Sequence, residues 1–283
     1  MFAKIACTLI ALICCVNMAE AALVDSLRNF FWGNPQTPPT KIRVLLINDQ
    51  PAAMLEVRGK YKLYDPNTKA HVSSRIIGKR KLIQSLPGGL KWGEEFPGIY
   101  QLQIIPDGQN TIILVDGVEY PGVLYVYDIG GTLSFTNEVD LETYLTRVLP
   151  VRYPDNLPDE AIAALTISAR TQSLYAVKHP KNSLWDVDGQ MVGYKSDKKP
   201  VLRPEMEKAI RSTRNMVLSL TGAQEGSATP FCAQWGPAQA GKESGTVISR
   251  ISLFEAEQLA KKGKDAALIL GQAYPNAHIE IVK

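Results

Sequence analysis

The sequence predicts an α+β fold: a strand-rich N-terminal part, then a mixed α/β core built around one buried central helix. Three observations carry this. From Lys41 to about Phe135, short runs of branched and aromatic residues alternate with turn signals. Asp140 to Val177 then reads as a short helix, a proline-punctuated turn and a long helix. From Ala161 to Val177 the long helix carries one charge only, Arg170, and a helix apolar on nearly every side belongs in the middle of a domain.

Taken in order, the chain opens with Lys4, an apolar run Ile5 to Val16 and the small-x-small triplet Ala19-Glu20-Ala21. This is the order of a secretory signal peptide, so export with cleavage after Ala21 is expected; an uncleaved anchor is the alternative. The run is short for a bilayer, and no transmembrane segment is expected in the mature chain. Residues 22–40 read as a linker. Leu23, Leu27, Phe30 and Phe31 make a short amphipathic segment before Pro35, Pro38 and Pro39. Residues 41–119 form the strand-rich N-terminal region, with strands at Ile42–Ile47, Met54–Val57, Tyr61–Tyr64, Leu102–Ile105 and Thr111–Val115. Residues 120–283 form the core domain, opened by a strand at Val123–Tyr127.

In the first helix Leu141, Tyr144, Leu145, Val148 and Leu149 make a single apolar stripe, with Asp140 as cap and Pro150 and Pro154 as stops. Asn156 is the expected cap of the long helix, with Pro158, Asp159 and Glu160 in its first turn. Arg170 must find acceptors inside the fold, and a carboxylate from Glu160 or from outside the helix is expected. Pro204 to Arg214 reads as a further helix ended by Asn215 in a left-handed conformation, followed by a strand at Met216–Leu220. Ser252 to Glu255 is a capping box, Gly263 ends its helix, Asp265 to Leu270 adds a turn or two, and His278–Val282 is a last strand.

A net charge of +3 is too small to argue for nucleic acid. Cys7, Cys14 and Cys15 fall in the signal, so the mature chain keeps only Cys232; an internal disulfide and thiolate zinc sites are excluded. His71, His179 and His278 show no ligand spacing. No metal and no cofactor are expected.

The organising stretch resembles the stage II sporulation protein D family (the SpoIID/LytB domain). The match runs without a gap through Leu141-Glu142, Tyr144-Leu145, Val148-Leu149-Pro150, Pro154, Pro158, Glu160-Ala161-Ile162, Ala164, Ile167 and Ala169-Arg170-Thr171. The resemblance reaches from about Tyr120 to Val282, with eroded C-terminal motifs. It implies an exported protein acting on peptidoglycan glycan strands, either as a lytic transglycosylase or as the enhancer of a partner amidase. Some members bind a metal through cysteines, but Gly189 stands where a cysteine would be.

A lytic transglycosylase needs one carboxyl group, first to protonate the leaving oxygen and then to accept the proton of the attacking sugar hydroxyl. In the family this is the Glu of a Ser-Glu-Met-Pro turn; the matching position here is Arg152, which cannot donate a proton in this way. Leu165 also replaces a family Gln, and Thr246 to Arg250 replaces a glycine-rich loop. Asp155 and Glu160 are the candidate stand-in acids; each also has a structural reading, as turn residue and as helix-dipole partner or pair for Arg170. Arg152, Tyr153 and Gln190 are the candidate substrate-binding residues. Arg152 is either a solvated charge or a receptor for a lactyl or peptide carboxylate, and Gln190 either matches the family's Gln segment or is a local turn residue. Glu160, Arg170 and Thr171 are read as structural. The expected function is glycan binding in wall remodelling without the family's acid. The alternatives are an active transglycosylase with a displaced carboxylate and a domain that has drifted to another exported role.

Overall fold

The computed structural model describes residues 39–76, 78–194, 201–222, 228–236 and 245–282. The expected signal peptide and almost all of the linker lie outside the described residues. From Thr40 onward the chain is one compact unit.

Strand-forming runs from Lys41 to Asp140 give β1 (Lys41–Gln50), β2 (Ala52–Arg58), β3 (Tyr61–Tyr64), β4 (His71–Arg75), β5 (Lys79–Leu86), β6 (Gly89–Trp92), β7 (Glu94–Pro97), β8 (Gln101–Pro106), β9 (Ile112–Val115), β10 (Val118–Tyr120), β11 (Val123–Ile129) and β12 (Thr132–Asp140). The helices α1 (Leu141–Arg152) and α2 (Asp159–Lys178) follow. Then come β13 (Val187–Asp188), α3 (Pro204–Ser212), β14 (Met216–Leu220), β15 (Cys232–Gln234), β16 (Thr246–Ile248), α4 (Leu253–Lys261), α5 (Ala266–Ala273) and β17 (Ala277–Ile281). The fold is mixed α+β, with the strands concentrated in the N-terminal part.

Two sheets dominate, ordered β13-β1-β12-β11-β8-β3-β4 and β10-β9-β2-β5-β6-β7. Alternation along each strand sends one face inward. Ile42, Val44, Leu63, Leu102, Ile104, Leu124 and Val126 of the first sheet share a core with Leu55, Val57, Ile83, Trp92 and Ile113 of the second. The rings of Tyr61 and Trp92 meet across it at 5.8 Å. Strands from either side of residue 119 share the first sheet, because β1 pairs antiparallel with β12 from Lys41–Asp140 to Gln50–Leu133.

Helix α1 starts as the sequence requires, with the Asp140 carboxylate accepting the Thr143 amide. Pro150 does not stop it. It sits inside the last turn, where it loses one backbone bond while Val148 and Leu149 beside it are buried. Nor does Asn156 cap α2. Asn156 takes φ 65° in the turn, which lets Leu157 drop into the core, and Pro158 occupies the cap position and accepts from the Ile162 amide at 3.0 Å. Asn215 does take the expected left-handed conformation, at φ 64°, and Ser252 and Glu255 form the capping box.

Helix α2 lies between two cores. Ala161, Ile162, Leu165 and Ala169 belong to the core shared with the sheets. Ala164 and Ile167 pack with Leu218, Phe231, Ala233, Ile269, Leu270 and Tyr274. The lone charge in it, Arg170, is 1% exposed and uses every donor it has. Nε and Nη2 grip Glu142 of α1 bidentately, at 2.7 and 2.9 Å. Nη1 donates to Met216 O at 3.1 Å and Thr213 Oγ1 at 3.3 Å, and Nη2 to Ile210 O at 3.3 Å. Glu160 is not its partner: ten residues along a helix is about 15 Å, beyond an arginine's reach.

Replacing Arg170 by Met is expected to destabilise the fold by about 3–5 kcal/mol, since it strands the Glu142 carboxylate and three oxygens without donors. Denaturant unfolding monitored by circular dichroism checks this; an unchanged midpoint would contradict the structural assignment.

Candidate functional site

The turn between α1 and α2 places Arg152 at the exposed C-terminal end of α1, where a cation complements the helix dipole. Its guanidinium stands 5.9 Å from the Tyr153 ring and donates from Nη1 to Gln172 Oε1 at 3.1 Å. Gln172 in turn donates from Nε2 to Cys232 Sγ at 3.7 Å. One turn earlier on α2, Ser168 Oγ accepts from Trp235 Nε1 at 3.0 Å and lies 3.4 Å from the Tyr274 hydroxyl. That hydroxyl donates to Gln234 O at 3.0 Å. Ser168, Gln172 and Tyr175 therefore form a polar stripe at i, i+4 and i+7, facing β15 and the end of α1.

The segment carrying Gln190 closes the other side. Asp188 Oδ1 accepts the Gln190 and Met191 amides at 2.8 and 3.3 Å, so Gln190 is held by its backbone and its side chain is exposed. Gly193 (φ +75°) packs so closely on the end of α1 that a Cβ there would lie 2.9 Å from Val151 Cγ1. Behind it, Tyr194 stacks on Tyr120 and Tyr144, with centroids at 6.0 and 5.4 Å, and donates its hydroxyl to Asn137. A second buried arginine locks this corner. Arg147 lies 5.0 Å from the Tyr120 ring and 4.9 Å from Tyr194, and Nη1 donates to Glu119 O at 3.1 Å. Among the described residues its Nε and Nη2 have no hydrogen-bond partner, and ring faces stand in for acceptors.

Burial sets the site's electrostatics. It pushes the Tyr153 phenol up, and the neighbouring Arg152 opposes the shift. Tyr274 is pushed up for the same reason, with the Ser168 hydrogen bond opposing. Tyr144, 2% exposed, is raised from 10.0 to about 12, chiefly by burial, with Arg152 opposing.

The candidate stand-in acids have other partners. Asp155 is exposed and forms an ion pair with Arg203. Glu160 accepts the Ala266 amide at 2.8 Å and so ties α2 to the start of α5. Asp159 bridges to Lys208 at 2.6 Å, and Glu142 belongs to Arg170. Thr171 Oγ1 donates to Ile167 O at 2.7 Å and accepts the Leu218 amide at 2.8 Å, joining α2 to β14. Arg152 and Tyr153 thus sit together, with Gln190 in the adjoining turn, in a surface of cation, ring and amide. Such a surface can bind, but among the described residues Asp155 and Glu160 are engaged with other partners and leave it no free carboxyl to act as general acid. Sequence reasoning missed Gln172, Cys232 and Trp235; the signal available was the polar i, i+4, i+7 spacing on an apolar helix. Among the described residues no three metal-ligating side chains cluster, and no helix is long and apolar enough to cross a membrane.

Residues 130–220, which hold α1, α2, α3 and this turn, match the SpoIID family model, Stage II sporulation protein. Over these residues the chain is similar to that family. That domain points to a cell-wall-associated role. Similar curated proteins are an uncharacterized protein of Chlamydia pneumoniae, 35% identical over 158 residues, and one of Chlamydia muridarum, 32% identical over 178 residues. These matches cover 54% and 62% of this chain, and the chain spans only 57% and 59% of those relatives' lengths. A third, from Brachyspira hyodysenteriae, is 28% identical over 174 residues, 61% of this chain and 46% of that protein. No solved structure matches.

The raised phenols give a pH dependence. A neutral Tyr144 is what the packed site accommodates, so its contribution is whole below pH 10.0, the unfolded value, and is lost as pH rises through about 12. Tyr125 and Tyr127 are raised to about 12 in the same way. Tyrosinate absorbance should therefore rise later in native than in denatured protein, and stability should fall as pH climbs above 10; coincident titrations would contradict this.

Proposed function

We propose that this is an exported, peptidoglycan-associated protein that binds glycan strands and takes part in cell-wall remodelling without the family's catalytic carboxylate. It either holds the strand itself or presents it to a partner amidase or other wall hydrolase. The observation that carries the reading is Arg152 at the end of α1, in the position of the family's acid, with Glu142, Asp155, Asp159 and Glu160 all engaged elsewhere. The match to the SpoIID model over the same turn supports wall association. A guanidinium cannot protonate a glycosidic oxygen, but it can donate hydrogen bonds to a bound glycan, and the Tyr153 ring stands 5.9 Å from it.

Co-sedimentation with insoluble peptidoglycan tests the binding. The wild-type chain should pellet with the polymer, and Arg152→Ala should weaken binding by about 1.5–3 kcal/mol, the worth of a charge-assisted hydrogen bond. A wild-type chain that stays in the supernatant would contradict the reading. Export has its own check: protein recovered from outside the cytoplasm should begin at Ala22, and an intact Met1 on that material would rule out cleavage there.

A further inference from the structure

We infer that the group Arg152 takes is a carboxylate, and that Gln172 is the positioning residue that aims the guanidinium at it. The inference rests on the proposed glycan-binding reading and names the chemical class of ligand that reading leaves open. Around the α1–α2 turn the charges are matched one to one. Glu142 is gripped by Arg170, Asp155 by Arg203 and Asp159 by Lys208, while Glu160 accepts a helix-terminal amide. Arg147 is buried against tyrosine rings, which leaves Arg152 as the exposed arginine of α1 with no carboxylate partner among the described residues. The Arg152 hydrogen bond goes to Gln172, a neutral amide. A site built only for neutral sugar hydroxyls has no need of a fixed, unpaired guanidinium.

The geometry goes further than charge. A guanidinium offers donors only, so the Gln172 atom facing it must be the carbonyl oxygen. The amide's other end is held toward Cys232, and its stem rises from the packed middle of α2. With Nη1 on Gln172, the Nε–Nη2 edge is the free one. That edge is the planar fork that accepts both oxygens of a carboxylate in parallel. The Tyr153 ring flanks it at 5.9 Å. On peptidoglycan this chemistry has two sources: the lactyl carboxylate of a peptide-free muramic acid, and a carboxylate of the stem peptide.

Calorimetric titration of the full chain with three probes tests this: a neutral chitin oligosaccharide, a peptide-free glycan oligomer carrying lactyl carboxylates, and a free stem peptide. The wild-type chain should bind at least one carboxylate probe on the order of tenfold or more tighter than chitin oligosaccharide, the scale of a charge-assisted bond. Whichever of the two binds tighter identifies the source. Gln172→Leu should shrink that ratio toward one. Gln172→Glu should do so as well, since a carboxylate at that position would satisfy Arg152 internally. Arg152→Lys, at an exposed position that tolerates change, keeps the charge without the fork and should also lose most of the preference. A simple loss of fold would weaken all probes together and leave the ratio intact. Equal wild-type affinity for neutral and acidic glycans would overturn this inference while leaving glycan binding standing. A wild-type chain that binds none of the probes would overturn both.

Discussion

The Arg170–Glu142 pair is the constraint on which the rest of the structure depends. A guanidinium 1% exposed in the middle of an apolar helix is tolerable only if all its donors are met. Meeting them requires α1, the end of α3 and the start of β14 to converge on one point of α2. Helix α2 is already pinned between two hydrophobic cores, so these bonds add little freedom-limiting packing. What they add is register. They set α1 at a defined height against α2, and that height decides where Arg152, at the far end of α1, emerges beside Gln172.

The same logic explains why two arginines of α1 have different fates. Arg147 points into the corner between Tyr120 and Tyr194, where their ring faces and Glu119 O hold its charge, and so packs the Tyr194 segment against α1. Arg152 comes at the end of the helix, after the buried stripe has run out, and is exposed. One cation builds the wall of the site, and the other is presented by it.

Much of this architecture was legible from local pattern. The apolar stripe of α1, the Asp140 cap, the near-absence of charge in α2, the left-handed Asn215 and the Ser252–Glu255 box all depend on neighbours within a few residues, and these stand in the structure as read. What failed depended on competition between local preference and packing. Pro150 stays helical and Asn156 yields the cap position to Pro158 because burying Val148, Leu149 and Leu157 outweighs the local signal. The pairing of Arg170 with Glu142 rather than Glu160 required knowing which face of α1 meets α2. The Arg152–Gln172–Cys232 chain joins residues up to eighty positions apart, about the scale on which loop closure rather than local pattern decides contacts. Strands β4 to β7 carry many charged residues, such as Lys79, Arg80, Lys81, Glu94 and Glu95, which blurred their alternation.

We propose that the turn carrying Arg152, within the residues that match the SpoIID model, holds glycan without cutting it. The most direct measurement is to incubate the purified chain with intact peptidoglycan and look for released anhydro-muropeptides by mass spectrometry. General acid catalysis contributes about 10²–10⁴ in rate, and among the described residues no carboxylate pairs with Arg152. No release above a protein-free control is therefore expected. Release at an ordinary enzymatic turnover would contradict it, and would mean that a carboxylate now paired elsewhere, Asp155 or Glu160 first among them, leaves its partner to do the chemistry.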